Sequence, residues 1–281
     1  MSAVATATAG RRVAFIVSYD GAGFSGFQRQ PGRRTVQSAL EDALGDLCGE
    51  RIVLRGAGRT DAGVHAAGQV VDAGLPAGLA IPTRRLPAAL ARRLPPGLAA
   101  VSAHDVPWGF DARRQALAKR YRFLIWRPAV PSPFWRGYAW HWSGGLDVPS
   151  MRAAAAAFVG RRDFSAVAGS ARPVPDATRT IAACTVEASG PWLAVEVEAD
   201  GFLYRMVRTI AGTLVEVGRG RFSVGEVSDI LRAGRRGGAG PALPAHGLCL
   251  LWVRYRPQIA LPDPTGPQWP LPPGPPLGPW P

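Results

Sequence analysis

Hydrophobic and polar positions follow two different periods along this chain. Residues 13–18 form an apolar run closed by the turn signal Tyr19-Asp20-Gly21, the pattern of a buried strand. Behind Thr35, a good helix N-cap, Val36, Leu40, Ala43, Leu44 and Leu47 recur with helical spacing. Short strands are predicted at 52–54 and 69–71, on either side of a glycine-rich turn. Leu86, Leu90 and Leu94 predict a helix between Pro82 and Pro96.

After Val106-Pro107 the pattern begins again. Residues 119–126 alternate, with Tyr121, Phe123 and Ile125 on one strand face. Asp147 and Pro149 open an alanine-rich helix that Gly160 can close. Residues 192–200 set Leu193, Val195, Val197 and Ala199 against Glu196, Glu198 and Asp200, a half-buried strand. A helix over 202–217 carries the stripe Leu203, Val207, Ile210 and Leu214. Ser223 and Glu226 mark a capping box for another helix, and residues 248–255 read as a closing strand.

Both halves therefore mix antiparallel-type strands with helices, and the expectation is an α+β protein of two lobes, 12–106 and 107–256. A flexible N-terminus, 1–11, precedes them and a proline-rich tail, 257–281, follows. From Leu261 on, ten of the last 21 residues are proline and only Asp263 is charged, so that stretch is expected to be extended or disordered.

Composition narrows the function classes. The apolar runs are strand-length, too short to cross a membrane, and the first ten residues lack the order of a secretory signal; a cytoplasmic protein is expected. Cys48, Cys184 and Cys249 are scattered, with no zinc-site or disulfide spacing, and read as buried thiols. Four dispersed histidines offer no metal cluster, so neither metal nor cofactor is expected. The net charge of +13 points to a polyanionic partner. Of 33 basic residues only Lys119 is lysine, a bias that a GC-rich genome can produce without producing the charge excess itself.

Candidate chemistry concentrates in Gly58-Arg59-Thr60-Asp61-Ala62-Gly63-Val64-His65-Ala66-Ala67-Gly68-Gln69-Val70-Val71. A lone acid sits here in a glycine-rich turn, with an arginine two residues earlier that can pair with a carboxylate or grip a phosphate. On chemistry alone, the ordinary alternative is a turn whose Asp accepts backbone hydrogen bonds. That fourteen-residue run resembles the signature of the TruA family of tRNA pseudouridine synthases, in which the catalytic aspartate occupies the position of Asp61.

The resemblance extends over roughly residues 13–256. Tyr19-Asp20-Gly21 and Gly26-Phe27-Gln28-Arg29-Gln30 are similar to the family's Y-D-G and G-W-Q-R-Q, with Phe27 in place of Trp. Phe110-Asp111-Ala112-Arg113 and Lys119-Arg120-Tyr121-Arg122-Phe123 resemble F-x-A-R and R-R-Y-R-Y. Phe202 to Ile210 matches F-L-x-x-M-V-R-N-I, with Thr209 where Asn is usual. Periodicity does not choose between Arg205 and Arg208; the family pattern selects Arg208. Asp163-Phe164-Ser165-Ala166 and Pro244-Ala245-His246-Gly247-Leu248 agree more loosely, and His246, standing where Glu is common, is given no catalytic role.

The resemblance implies two mixed α/β lobes with largely antiparallel sheets flanking a central basic catalytic cleft, the pseudouridine synthase fold. It implies isomerisation of uridine to pseudouridine at positions 38, 39 and 40 of the tRNA anticodon stem-loop, by a homodimer. Asp61 would be the catalytic group, with Arg208 as its partner. Tyr121 would stack on the flipped base, Leu248 would pack beneath it, and Arg59, Gln28 and Arg29 would contact the RNA. The residues leave open whether Asp61 attacks the sugar, attacks the base or manages a proton at C2′. Two other classes remain: a non-catalytic tRNA-binding or folding protein, and a glycosidase, which usually needs two cooperating carboxylates.

Overall fold

In a computed structural model the protein is described over residues 10–169, 175–235 and 237–262. Of the expected flexible N-terminus, residues 1–9, and of the proline-rich tail, residues 263–281, lie outside the described residues.

The first half runs β1 (Arg11–Tyr19), α1 (Val36–Cys48), β2 (Leu54–Gly56), β3 (His65–Leu75), α2 (Leu86–Ala91) and β4 (Leu98–Val106). The second runs β5 (Ala118–Trp126), β6 (Trp140–His141), α3 (Val148–Ala155), β7 (Gly160–Asp163), β8 (Thr178–Ser189), β9 (Trp192–Ala199), α4 (Met206–Gly218), α5 (Val224–Ala233) and β10 (Leu248–Arg254). The class is α+β, as expected. Among the described residues ten strands form one sheet, in the order β4-β1-β3-β10-β5-β9-β8-β7, with β2 beside β3 and β6 beside β5. Pairing is antiparallel except between β10 and β3 and between β5 and β6.

The decisive feature is where β10 lies. The last strand of the chain enters between β3 and β5, so that Cys249 faces His65 on one side and Leu250 faces Tyr121 on the other. The turn that precedes β3 and the aromatic face of β5 are thereby brought together at mid-sheet.

The caps follow the sequence. Thr35 accepts from the Ser38 N–H at the start of α1, and Ser223 and Glu226 form the reciprocal capping box of α5. Several boundaries differ from the expectations. β3 is longer than predicted because its buried Gln69 and Asp72 are satisfied internally: Gln69 Nε2 donates to the Gly58 carbonyl at 2.9 Å, and Asp72 accepts from the Ala112 N–H at 2.7 Å. The helix expected over 82–96 is a 3-10 turn, Thr83–Arg85, followed by the short α2. β4 carries no clean alternation and was not foreseen. The helix expected from Phe202 begins at Met206, since Arg205 takes a left-handed φ of 57° that a helix interior does not admit. α4 is also buried nearly all round rather than along one stripe, and Arg208 is its one residue outside the buried set. The three thiols are free; Cys184 is buried, whereas Cys48 and Cys249 are only half-buried. Among the described residues no helix is long and apolar enough to cross a membrane.

Candidate active site

The Asp61 turn is fixed from below by two segments that are remote in sequence. Tyr19 Oη and Thr60 Oγ1 lie 2.9 Å apart, and the Phe27 N–H donates to the Thr60 carbonyl at 3.0 Å. A side chain on Gly21 would bring a Cβ to 2.2 Å from the Val64 carbonyl oxygen, so the Tyr19-Asp20-Gly21 segment must contain glycine to let the turn rest on it. Both sequence motifs near the N-terminus thus form the shelf on which the turn sits.

Asp61 meets Arg208. Nη1 of Arg208 donates to Oδ2 of Asp61 at 2.7 Å, and the two side chains retain 12% and 23% of their exposure, respectively, so the pair is sheltered but open to a ligand. A second bond aims the guanidinium: its Nε donates to the Leu243 carbonyl at 2.6 Å. Residues 240–243 in turn dock on α4, where the Gly240 N–H donates to Thr213 Oγ1 at 3.0 Å and the Leu243 N–H to the Arg208 carbonyl at 3.2 Å. Arg208 therefore binds Asp61, while Arg205, the other arginine that periodicity allowed, lies over the Tyr204 ring. Thr209, in place of Asn, bonds back to the Arg205 carbonyl at 3.2 Å.

Tyr121 projects from β5 and is 6% exposed. Burial pushes its hydroxyl well above the ordinary phenol range, and the neighbouring Tyr19 and the Asp61 charge push it further the same way. Leu248, also buried, opens β10 opposite Phe123, two positions along β5 from Tyr121. Arg59 and Gln28 are exposed and make no hydrogen bond or ion pair among the described residues. Arg29 instead turns back onto α1, donating to Glu41 at 2.6 Å and Asp42 at 2.7 Å.

Three contributors escaped sequence reasoning. His65, directly after the turn, takes the Gly21 N–H on Nδ1 at 3.0 Å, and its Nε2 lies 2.9 Å from the Gly137 carbonyl and 3.1 Å from that of His246. Tyr138 donates to Asp20 at 2.7 Å from the other half of the chain. Lys119 donates to the Ala57 carbonyl at 2.7 Å, at the foot of the turn. None carries a periodic signal, because each acts across the sheet rather than along an element.

An ion pair of this kind beside a sheltered tyrosine suits chemistry on a polar ring, and comparison with known proteins gives the class. A family model described as tRNA pseudouridine synthase matches residues 15–113 and 154–256, and the chain belongs to that family. It is 42% identical over 246 residues to tRNA pseudouridine synthase A of Geobacter sp. (strain M21), covering 87% of this chain and 99% of that one. The protein of the same name from Bacillus subtilis (strain 168) is 43% identical over 246 residues, again 87% and 99%. That from Moorella thermoacetica is 44% identical over 241 residues, 85% of this chain and 97% of the relative. Among solved structures, a chain of a Cbf5-Nop10-Gar1 complex aligns with a TM-score of 0.34 at 14% identity, over 85% of this chain and 49% of that chain, too remote to carry an argument.

Proposed function

We propose that the protein isomerises uridine to pseudouridine in tRNA, with Asp61 as its catalytic carboxylate. The observation that carries this reading is the 2.7 Å pair between Asp61 and Arg208, held beside Tyr121 at the centre of the sheet. The reaction breaks the N1–C1′ bond, turns the uracil and joins C5 to C1′; N1 gains a proton and the C5 hydrogen leaves as one. The change is redox-neutral and calls for no cofactor. A carboxylate fixed in direction can serve either as nucleophile or as base, and Arg208 holds it in direction. Tyr121 supplies an aromatic surface for a base taken out of its stack, with Leu248 beneath. Exposed Arg59 and Gln28 suit contacts with the RNA backbone, and the net charge of +13 favours the polyanion. Arg29 can join them only by leaving Glu41 and Asp42.

Several finer statements belong to the same proposal. The targets are uridines 38, 39 and 40 of the anticodon stem-loop, read by shape and flexibility more than by base edges. The protein works as a homodimer in the cytoplasm, and residues 12–106 and 107–256 act as two lobes about the site. Tritium release from tRNA carrying [5-³H]uridine tests the reading: release by the wild type and none by Asp61→Asn is the expected result. Tight binding without release by either protein would replace it with a non-catalytic tRNA-binding function.

A further inference from the structure

A chain with 33 lysines and arginines uses lysine once, at Lys119. The two residues differ physically: arginine is a planar five-donor cation that stays charged, whereas lysine is a compact point charge able to lose its proton. Lys119 stands two positions before Tyr121 on β5 and shares its face, between Ala199 of β9 and Val253 of β10. Its Nζ donates to the carbonyl of Ala57, a fully buried residue directly ahead of the 58–61 turn, at 2.7 Å. The space is tight, since a Cβ on Gly58 would lie 3.4 Å from Nζ. The charged groups facing the ammonium are Arg113 ahead of β5, Arg179 on β8 and Asp200 after β9, two cations against one acid. Burial first, then Arg113 and Arg179, push the ammonium down to about 8, with Asp200 opposing them.

We propose that Lys119 is a positioning residue for the reaction: its ammonium clamps the Ala57 carbonyl and holds the Asp61 turn in register with Tyr121, and only the protonated form does so fully. This inference rests on the isomerase reading. A charge-assisted donor holds a carbonyl about twice as strongly as a neutral amine, so loss of the proton loosens the turn without removing any group that touches RNA. Burial acts on other groups near the site as well. Burial carries the Tyr19 and Tyr121 hydroxyls upward and the Cys249 thiol to about 12, while it moves His246 downward.

The single lysine makes a direct test possible. Protein labelled with ¹³C,¹⁵N-lysine gives one lysine side-chain resonance set, and its titration midpoint is expected near 8. A midpoint at the ordinary lysine value of about 10.4 overturns the inference. In parallel, single-turnover tritium release is followed from acid to alkaline pH for the wild type, Lys119→Arg and Lys119→Met, with melting temperature and tRNA affinity measured for each. The wild-type rate is expected to fall about fivefold through the same midpoint, and Lys119→Arg to show no such limb. Lys119→Met is expected to be slow, by tenfold or more, at every pH, with tRNA affinity within about threefold of wild type. A Lys119→Met enzyme with the wild-type rate, or one that keeps the alkaline limb, overturns the proposal; should Lys119→Arg not fold, Lys119→Met decides. If the wild type releases no tritium at any pH, the isomerase reading fails and takes this inference with it, whatever the midpoint of the lysine resonance.

Discussion

Tyr121 stands edge-on to Phe202, their ring centres 5.0 Å apart and their planes at 85°. Phe202 belongs to the four residues before α4 that sequence periodicity had assigned to the helix, and the left-handed Arg205 is what frees them to cover the site. The contact braces the Tyr121 ring from one side, and burial keeps its hydroxyl protonated through the neutral and mildly alkaline range. Tyr121→Leu, which removes the flat surface but not the bulk, should lower kcat by about 10²-fold while tRNA affinity stays close to wild type. Full turnover by that variant in single-turnover tritium release would remove Tyr121 from the mechanism.

Arg208 permits a separation of charge from direction. Its two bonds, to Asp61 and to the Leu243 carbonyl, need the fork of a guanidinium. Lysine at this position retains the positive charge but cannot make both bonds in the same geometry. Arg208→Lys is expected to lower kcat by about 10²-fold with KM little changed, the pattern of a lost directional interaction. A loss confined to KM would mean that Arg208 binds RNA and leaves Asp61 to orient itself.

Gly21 shows how the turn depends on its shelf. Alanine there would place a methyl 2.2 Å from the Val64 carbonyl, whereas at Gly23, two residues on, nothing lies within 4 Å. Gly21→Ala should therefore cost about 1–3 kcal/mol of stability and reduce turnover by displacing the Asp61 turn. Gly23→Ala should alter neither, and chemical denaturation alongside tritium release compares the two.

Much of this architecture was legible in the sequence, for identifiable reasons. α1 and α5 carry local signals, a cap and a helical apolar stripe, and both lie where the pattern put them. Alternation placed β5 and β9 nearly to the residue. β4 was missed because a half-buried edge strand without strict alternation looks like loop. Resemblance brought Asp61 and Arg208 to one site although 147 positions separate them, something no periodicity contains. It named Phe110-Asp111-Ala112-Arg113 as a motif without its reason, which is structural: the Phe110 carbonyl accepts from Arg55, the Ala112 N–H donates to Asp72, and Tyr255 donates to the Ala112 carbonyl at 2.6 Å. The links through His65, Tyr138 and Lys119 were illegible, since each joins segments remote in sequence that only the assembled sheet brings together.

That motif leads to a prediction about stability rather than catalysis. Asp72, on β3, has no exposure, and its carboxylate accepts from Arg12 of β1, from Arg55 of β2 at 2.9 Å and from the Ala112 N–H at 2.7 Å. A buried charge is tolerable only with its partners, and here a single carboxylate serves two strands and the connection into β5. Asn at this position keeps the shape and can still accept from Ala112, but it leaves Arg12, 15% exposed, without a counter-charge. Asp72→Asn should cost about 3–5 kcal/mol, lowering Tm by on the order of 10 °C for a chain of this size. Because Asp72 bonds to Arg12, Arg55 and Ala112 and to none of Asp61, Arg208 or Tyr121, whatever folds should retain the wild-type kcat. Calorimetry with activity corrected for the folded fraction reads both effects, and an unchanged Tm would show that the two arginines find water or other acceptors when the carboxylate is gone.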